Sequence, residues 1–181
     1  MANHKIIILG DEYVGKETLN RSFKDYYDNG HVVEESGFEK YIFDTVSCEI
    51  EIWRSSKYHT YYQITEEVLA QIHGIILVYD IARSDTFYHL AYWMDTISHS
   101  IGINVPVVIV GNKLDERHWG NFQADVVSSS QGMEFVHQIA DTYKREIPYF
   151  EVCAYRSRVP KMILDKLMPR ICEELPLETV E

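Results

Sequence analysis

Ile6-Ile7-Ile8-Leu9-Gly10-Asp11-Glu12-Tyr13-Val14-Gly15-Lys16-Glu17-Thr18 is the stretch that decides the fold. Four consecutive apolar residues run into Gly-x4-Gly-Lys, and the segment that follows, Glu17–Tyr26, reads as a helix. In that strand–loop–helix order, the loop's successive backbone N–H groups and the helix N-terminus converge on one anion. Residues 10–16 therefore read as a phosphate-binding loop, with Lys16 as the point charge for β- and γ-phosphates. The two glycines also suit a tight turn on their own. Such a loop continues with Ser or Thr, whose hydroxyl holds Mg²⁺. Here Glu17 stands in that place and Thr18 comes one residue late. A shift of one helical position turns a side chain by roughly 100° and raises it about 1.5 Å, so Thr18 is no simple substitute. The chain is equipped to hold a nucleotide and poorly equipped to cut one.

At 181 residues the chain is expected to form one domain, residues 1–181, with a substantial core. Its hydrophobic content of 46% and charged content of 25% are ordinary for a soluble globular protein. A net charge of −11 argues against nucleic acid as a partner and against loose attraction to anionic lipid. Cys48, Cys153 and Cys172 lack metal-ligand or disulfide-framework spacing, which points to a reducing, cytoplasmic setting. No apolar run approaches the roughly 20 residues that span a bilayer. The tail, Glu173 to Glu181, carries no cysteine, so prenylation is not expected on this chain.

Apolar runs alternate with helix-like segments, the pattern of a doubly wound α/β sheet between two helical layers. The expected strands are Lys5–Leu9, Phe38–Asp44, Ser47–Trp53, Ile75–Tyr79, Val105–Val110 and Tyr149–Val152. Six strands follow, five parallel and Phe38–Asp44 antiparallel at one edge. Further helices are expected over Tyr61–Ile72, Thr86–Ile101, Ser130–Glu146 and Pro160–Glu174. Ser84 suits an N-cap, and Pro169 should kink or shorten the last helix.

Gly111-Asn112-Lys113-Leu114-Asp115 follows directly on the Val105–Val110 run. Ligands of such sheets sit beyond the carboxyl ends of the strands, where both this segment and the phosphate loop fall. The carboxylate of Asp115 can accept two N–H bonds from a guanine edge, a donor pair that adenine lacks. Asn112 and Lys113 can position the base and brace the phosphate loop. Asn-Lys-x-Asp alone is a weak match; joined to the loop far upstream, each after its own strand, it is strong.

On these residues the chain resembles a small GTPase of the Ras superfamily, a P-loop NTPase fold, and is most similar to the Rab branch. Leu77-Val78-Tyr79-Asp80-Ile81-Ala82-Arg83-Ser84-Asp85-Thr86-Phe87, Val127 to Gly132, and Ile52-Trp53 carry the same resemblance, which runs from about residue 4 to residue 175. Glu151-Val152-Cys153-Ala154-Tyr155 resembles the segment whose Ala N–H meets the guanine carbonyl, with Tyr155 in place of its lysine. The resemblance implies GDP or GTP as ligand, with Mg²⁺ doubtful and protein partners meeting the switch-like surface.

Against that family's pattern, Asp-x-x-Gly-Gln after Ile-Trp is replaced by Arg54-Ser55-Ser56-Lys57-Tyr58. The Asp would organise the Mg²⁺ shell, the Gly N–H would read the γ-phosphate and the Gln would orient water. Arg54 and Lys57 are left to pair with phosphate, to pair with Asp11, Glu12 and Glu17, or to sit solvated on a loop. The metal-binding Thr of the first switch, two residues before a Gly, is Glu35 before Gly37. Glu17 or Thr18 are the remaining candidate metal ligands, since carboxylates suit hard cations. Glu17, Asp11 and Glu12 would also set negative charge beside the phosphates, and two like charges at about 4 Å cost roughly 4 kcal/mol at an effective dielectric near 20. Asp28 replaces the base-stacking aromatic, for which Tyr26 or Tyr27 could serve. The sequence thus points to an atypical guanine-nucleotide binder with weak or absent hydrolysis. A working GTPase with an unconventional catalytic group, or an interaction module that binds no nucleotide, are the alternatives.

Overall fold

In the computed structural model, the described residues are 2–55, 64–102, 104–118 and 125–174. In chain order they form β1 (Ala2–Leu9), α1 (Lys16–Tyr26), β2 (His31–Glu35), β3 (Phe38–Asp44), β4 (Cys48–Ser55), α2 (Glu66–Leu69), β5 (Gly74–Asp80), α3 (Ser84–Ile101), β6 (Val107–Asn112), α4 (Ser129–Tyr143), β7 (Tyr149–Glu151) and α5 (Val159–Glu174). One mixed sheet runs β2-β3-β4-β1-β5-β6-β7. From β4 to β7 every neighbour is parallel, whereas β2 and β3 each pair antiparallel with the next strand.

The period-2 alternation of strand side chains divides the core into two layers. Ile6 and Ile8 of β1, Ile76 and Val78 of β5, and Val108 and Val110 of β6 face one layer, with Leu19 and Phe23 of α1 and Ile163, Leu167 and Ile171 of α5. Ile7 and Leu9, Ile75 and Leu77, and Val107 and Ile109 face the other, with Leu69, Leu90, Trp93, Val136 and Ile139 from α2, α3 and α4. The central strands are buried on both faces, which explains their continuous apolar sequence.

The α/β class stands, but the sheet has seven strands rather than six. The added strand is β2, and it takes the edge position expected of β3. Ser36 (φ 52°) and Gly37 (φ 82°) place two left-handed residues between Glu35 and Phe38, the backbone of a two-residue hairpin turn. The pairing is unforeseen because β2, His-Val-Val-Glu-Glu, is exposed over most of its length and shows no buried alternation.

Two helices also depart from expectation. The helix expected over Tyr61–Ile72 is described only as α2, with Thr65 capping the Val68 N–H; residues 61–63 lie outside the described residues. Pro169 neither ends nor shortens α5, which continues to Glu174. Proline in a helix interior costs about 3 kcal/mol. Leu167 and Ile171 on either side of it are wholly buried, and each such side chain returns about 1.5–3 kcal/mol. Ser84 is the first residue of α3, not its cap; Arg83 holds that position in an extended conformation.

Candidate functional site

β1 and β6 deliver the phosphate-loop and base-recognition segments to the same end of the sheet, and one side chain ties them together. Asn112, the last residue of β6 and 3% exposed, donates through Nδ2 to the Val14 carbonyl at 2.9 Å. Its Oδ1 accepts from the Ala154 N–H at 2.8 Å. Three segments far apart in sequence, the 10–16 loop, the end of β6 and the turn after β7, thus meet on one amide. Gly15 is fixed by the same contact. Its φ is 98°, and an added Cβ would lie 2.2 Å from Asn112 Nδ2. Gly10, at φ 139°, passes so close to β5 that a Cβ would lie 2.1 Å from the Val78 carbonyl oxygen. Both glycines are required by close approach as well as by the turn.

The remaining expected base-site residues divide. Asp115 is exposed in a short 3-10 helix, Leu114–His118, which is pinned where the Leu114 N–H donates to the Val152 carbonyl. Lys113, left-handed at φ 60°, does not brace the loop: its Nζ lies 2.7 Å from the buried Asp80 carboxylate at the end of β5. The Ala154 N–H, expected at a base carbonyl, is engaged by Asn112, so a base arriving there would share that donor. Cys153 is buried. Tyr155 is 58% exposed and lies near Cys153 and Asp115; its hydrogen bond to Cys153 leads the causes that raise its hydroxyl pKa. Tyr27 stacks on Phe43 in the core, with centroids 4.4 Å apart, whereas Tyr26 remains exposed.

At the loop, Lys16 folds back onto the carbonyls of Gly10 (2.8 Å) and Asp11 (2.5 Å). Burial pulls its pKa down to about 8, against the opposing charges of Asp11 and Glu12 and with a smaller push from Arg54. Beside Lys16 lies a small open cleft lined by Ile7, Leu9, Gly10, Phe38 and Trp93. α1 begins at Lys16, and its N-cap Gly15 has no side-chain capping bond. The first-turn N–H groups are therefore not met by a capping side chain and suit an anion.

Of the three loop acids, Asp11 and Glu17 have side-chain partners away from the loop, while the charges of Asp11 and Glu12 still act on Lys16. The Asp11 carboxylate turns to α3, where it accepts from Trp93 Nε1 at 3.0 Å and meets His89 Nδ1 at 2.5 Å. Arg83 Nη1 donates to the Glu12 carbonyl at 3.1 Å. Glu17 lies on the exposed side of α1, with Arg21 at 3.6 Å, while Thr18 and Tyr13 are also exposed. Arg54 reaches none of the three acids by an ion pair among the described residues; it reaches Glu39, directly opposite on β3. Glu39 also accepts from Asn20 Nδ2 at 2.5 Å and from Lys24 Nζ at 2.8 Å.

Neither this Glu39 cluster nor the α3 brace was anticipated from sequence. Their signal was a charged residue at an inward strand position, since Glu39 shares a face with Tyr41 and Phe43. Ser56, Lys57 and Tyr58 lie outside the described residues.

The expected metal ligands have these surroundings among the described residues. Glu17 and Thr18 face outward, Glu35 is paired with Lys40 at 2.5 Å, and a guanidinium stands at position 54. Among the described residues, no three His, Cys, Asp or Glu side chains are grouped to hold a metal ion. No described helix is long and apolar enough to cross a membrane.

Comparison with known proteins agrees with this geometry. The Ras family model matches residues 5–173. The Ras-related protein Rab-15 of Mus musculus is 26% identical over 185 residues, covering 98% of this chain and 87% of its own length. The Rattus norvegicus and Homo sapiens proteins of that name are each 28% identical over 145 residues, covering 76% of this chain and 68% of theirs.

Asn112→Ala would strand the Val14 carbonyl and the Ala154 N–H. Unsatisfied buried groups cost about 1–3 kcal/mol each, so urea unfolding should show a loss of about 2 kcal/mol or more. An unchanged midpoint would show that the amide is not a structural tie.

Proposed function

The chain belongs to the Ras family of GTP-binding proteins, and we propose that it is an atypical, Rab-like guanine-nucleotide switch or scaffold with weak or absent GTP hydrolysis. The observation that carries this reading is the Asn112 bridge. It ties the 10–16 loop to the end of β6, just before Asp115, and to Ala154, which supports reading these segments as one nucleotide site; the positions that would hold metal and water carry other residues.

In this reading the backbone of Gly10, Asp11, Glu12, Tyr13, Val14, Gly15 and Lys16 cradles the phosphates, and the Lys16 ammonium adds charge. Glu17 and Thr18 open the helix whose N-terminus faces the anion. Asp115 accepts the two guanine N–H groups. Asn112, Lys113, Cys153, Ala154 and Tyr155 frame the base. Protein partners would meet the switch-like surface that includes β2 and its hairpin turn. The cytoplasm is the expected setting.

Hydrolysis needs charge neutralisation at the γ-phosphate together with a positioned water. Arg54 replaces the carboxylate that organises a metal, and Tyr58 replaces the amide that could both accept from and donate to water. These parts act as a unit, so restoring one of them should recover little.

Two measurements test the reading. Asp115→Ala should weaken fluorescent-GDP binding by about tenfold or more, as expected for loss of a charge-assisted double hydrogen bond. Equal competition by adenine nucleotides would refute the base assignment. In single-turnover assays with excess protein, wild type and Tyr58→Gln should both leave GTP essentially intact. Ordinary intrinsic turnover in the wild type, or full rescue by Tyr58→Gln, would instead establish a working GTPase.

A further inference from the structure

We infer that Arg117 is a positioning residue for guanine: its guanidinium locks the 3-10 helix Leu114–His118 onto β7 and so aims the Asp115 carboxylate at the base. This rests on reading Asp115 as the acceptor of the two guanine N–H groups.

Asp115 is exposed, so the direction of its carboxylate depends on the backbone that carries it. That backbone is fastened on both sides of Asp115, each time to the end of β7. Before it, the Leu114 N–H donates to the Val152 carbonyl at 3.1 Å. After it, Arg117 reaches Glu151, the last residue of β7, with both arms of its fork. Nη2 donates to Oε1 at 2.6 Å and Nη1 to Oε2 at 2.8 Å. The turn that follows β7 carries Ala154, whose N–H is the one expected at the base carbonyl. Both halves of base recognition are thus referred to one strand.

The clamp reaches further. Arg117 Nη2 also donates to the Val127 carbonyl at 3.0 Å, and Nη1 to Ser129 Oγ at 2.8 Å. That hydroxyl donates in turn to Glu151 Oε2 at 2.7 Å. Val127 is itself tied to Ile81, just after β5, by its N–H on the Ile81 carbonyl. A 3-10 helix has poorer hydrogen-bond geometry than an α-helix, so a helix of five residues depends on outside ties of this kind.

The carboxylate at the other end of the clamp is also fixed. Glu151 Oε1 accepts from the Tyr149 hydroxyl at 2.8 Å, and that hydroxyl pairs with the hydroxyl of Tyr79 at 2.7 Å. The two tyrosines fill space left by glycines: a Cβ on Gly132 of α4 would lie 2.0 Å from the Tyr149 hydroxyl, and one on Gly111 of β6 2.7 Å from that of Tyr79. Burial opposes the Glu151 charge, yet hydrogen bonds from Arg117, Ser129 and Tyr149 keep its pKa below the ordinary carboxyl value. The Arg117 and Glu151 side chains are only 17% and 15% exposed. A guanidinium–carboxylate pair that is bidentate and shielded is strong and fixes direction as well as distance.

The test compares GDP with inosine diphosphate (IDP), whose base lacks the exocyclic amine and offers Asp115 one N–H instead of two. Ribose and phosphates are the same in both, so the affinity ratio isolates the base. It is measured on the full chain for wild type, Arg117→Gln and Arg117→Lys, well below each melting midpoint. Wild type should prefer GDP by about tenfold or more, as one charge-assisted hydrogen bond implies. Arg117→Gln should cut that preference by about threefold or more. Arg117→Lys, which keeps the charge but not the fork, should lie between. A merely structural role would lower the melting midpoint and leave the ratio as it was.

A smaller cut in Arg117→Gln would overturn the inference and leave Asp115 as the guanine acceptor. If Arg117→Gln does not fold, Arg117→Lys decides: a cut of about twofold or more supports the inference, and a smaller one overturns it. Equal binding of GDP and IDP by the wild type, or binding of neither, would remove the reading of Asp115 and the inference with it.

Discussion

The carboxamide of Asn112 is the contact on which the rest of the site depends. A loop, a strand end and a turn that are distant in sequence have no common partner in the sheet's backbone ladder. A buried amide with one donor end and one acceptor end supplies one. Because leaving either end unmet costs about 1–3 kcal/mol, the three segments are held in register before any ligand arrives. Pre-set geometry of this kind lowers the ordering cost of binding. The tie also dictates sequence nearby: Gly15 has to lack a side chain because Asn112 Nδ2 occupies the space a Cβ would fill.

The second constraint is electrostatic. A loop containing Asp11 and Glu12 and followed by Glu17 looks hostile to phosphate when charges are counted along the chain. Folding redistributes them. α3 takes the Asp11 carboxylate through Trp93 and His89, the outer face of α1 takes Glu17, and Glu39 gathers the cations of the layer beneath the loop. Asp11 and Glu17 are thereby engaged away from the loop, while the charges of Asp11 and Glu12 still act on Lys16. Glu17 and Glu35 meanwhile pair with Arg21 and Lys40, and Arg54 pairs with Glu39 across the strands.

How much of this was legible in the sequence follows from the range of the interactions involved. The alternation of apolar strands and amphipathic helices is local, so the α/β class and the layered order could be read directly, and residues 10–16 and Asn112–Asp115 do fall at the ends of β1 and β6. β2 escaped because its five residues are mostly exposed and its pairing depends on a two-residue turn at Ser36-Gly37. The continuation of α5 through Pro169 escaped because burial of Leu167 and Ile171 outweighs a local rule. The partners of Asp11, Glu39 and Lys113 could not be read at all. Trp93, Lys24 and Asp80 reach them only once helices and strands are packed, and nothing in their spacing announces it. Position 54 lies between these cases: its chemistry was evident, while its partner Glu39 became so only from the cross-strand register of β3 and β4.

The central claim is that the frame tied by Asn112 holds a guanine nucleotide. The most direct measurement is the nucleotide content of the full chain, freshly purified and then denatured, read by chromatography with mass spectrometry. The account predicts guanine nucleotide in near-stoichiometric amount. Protein that carries no nucleotide, or carries adenine nucleotide, would contradict it.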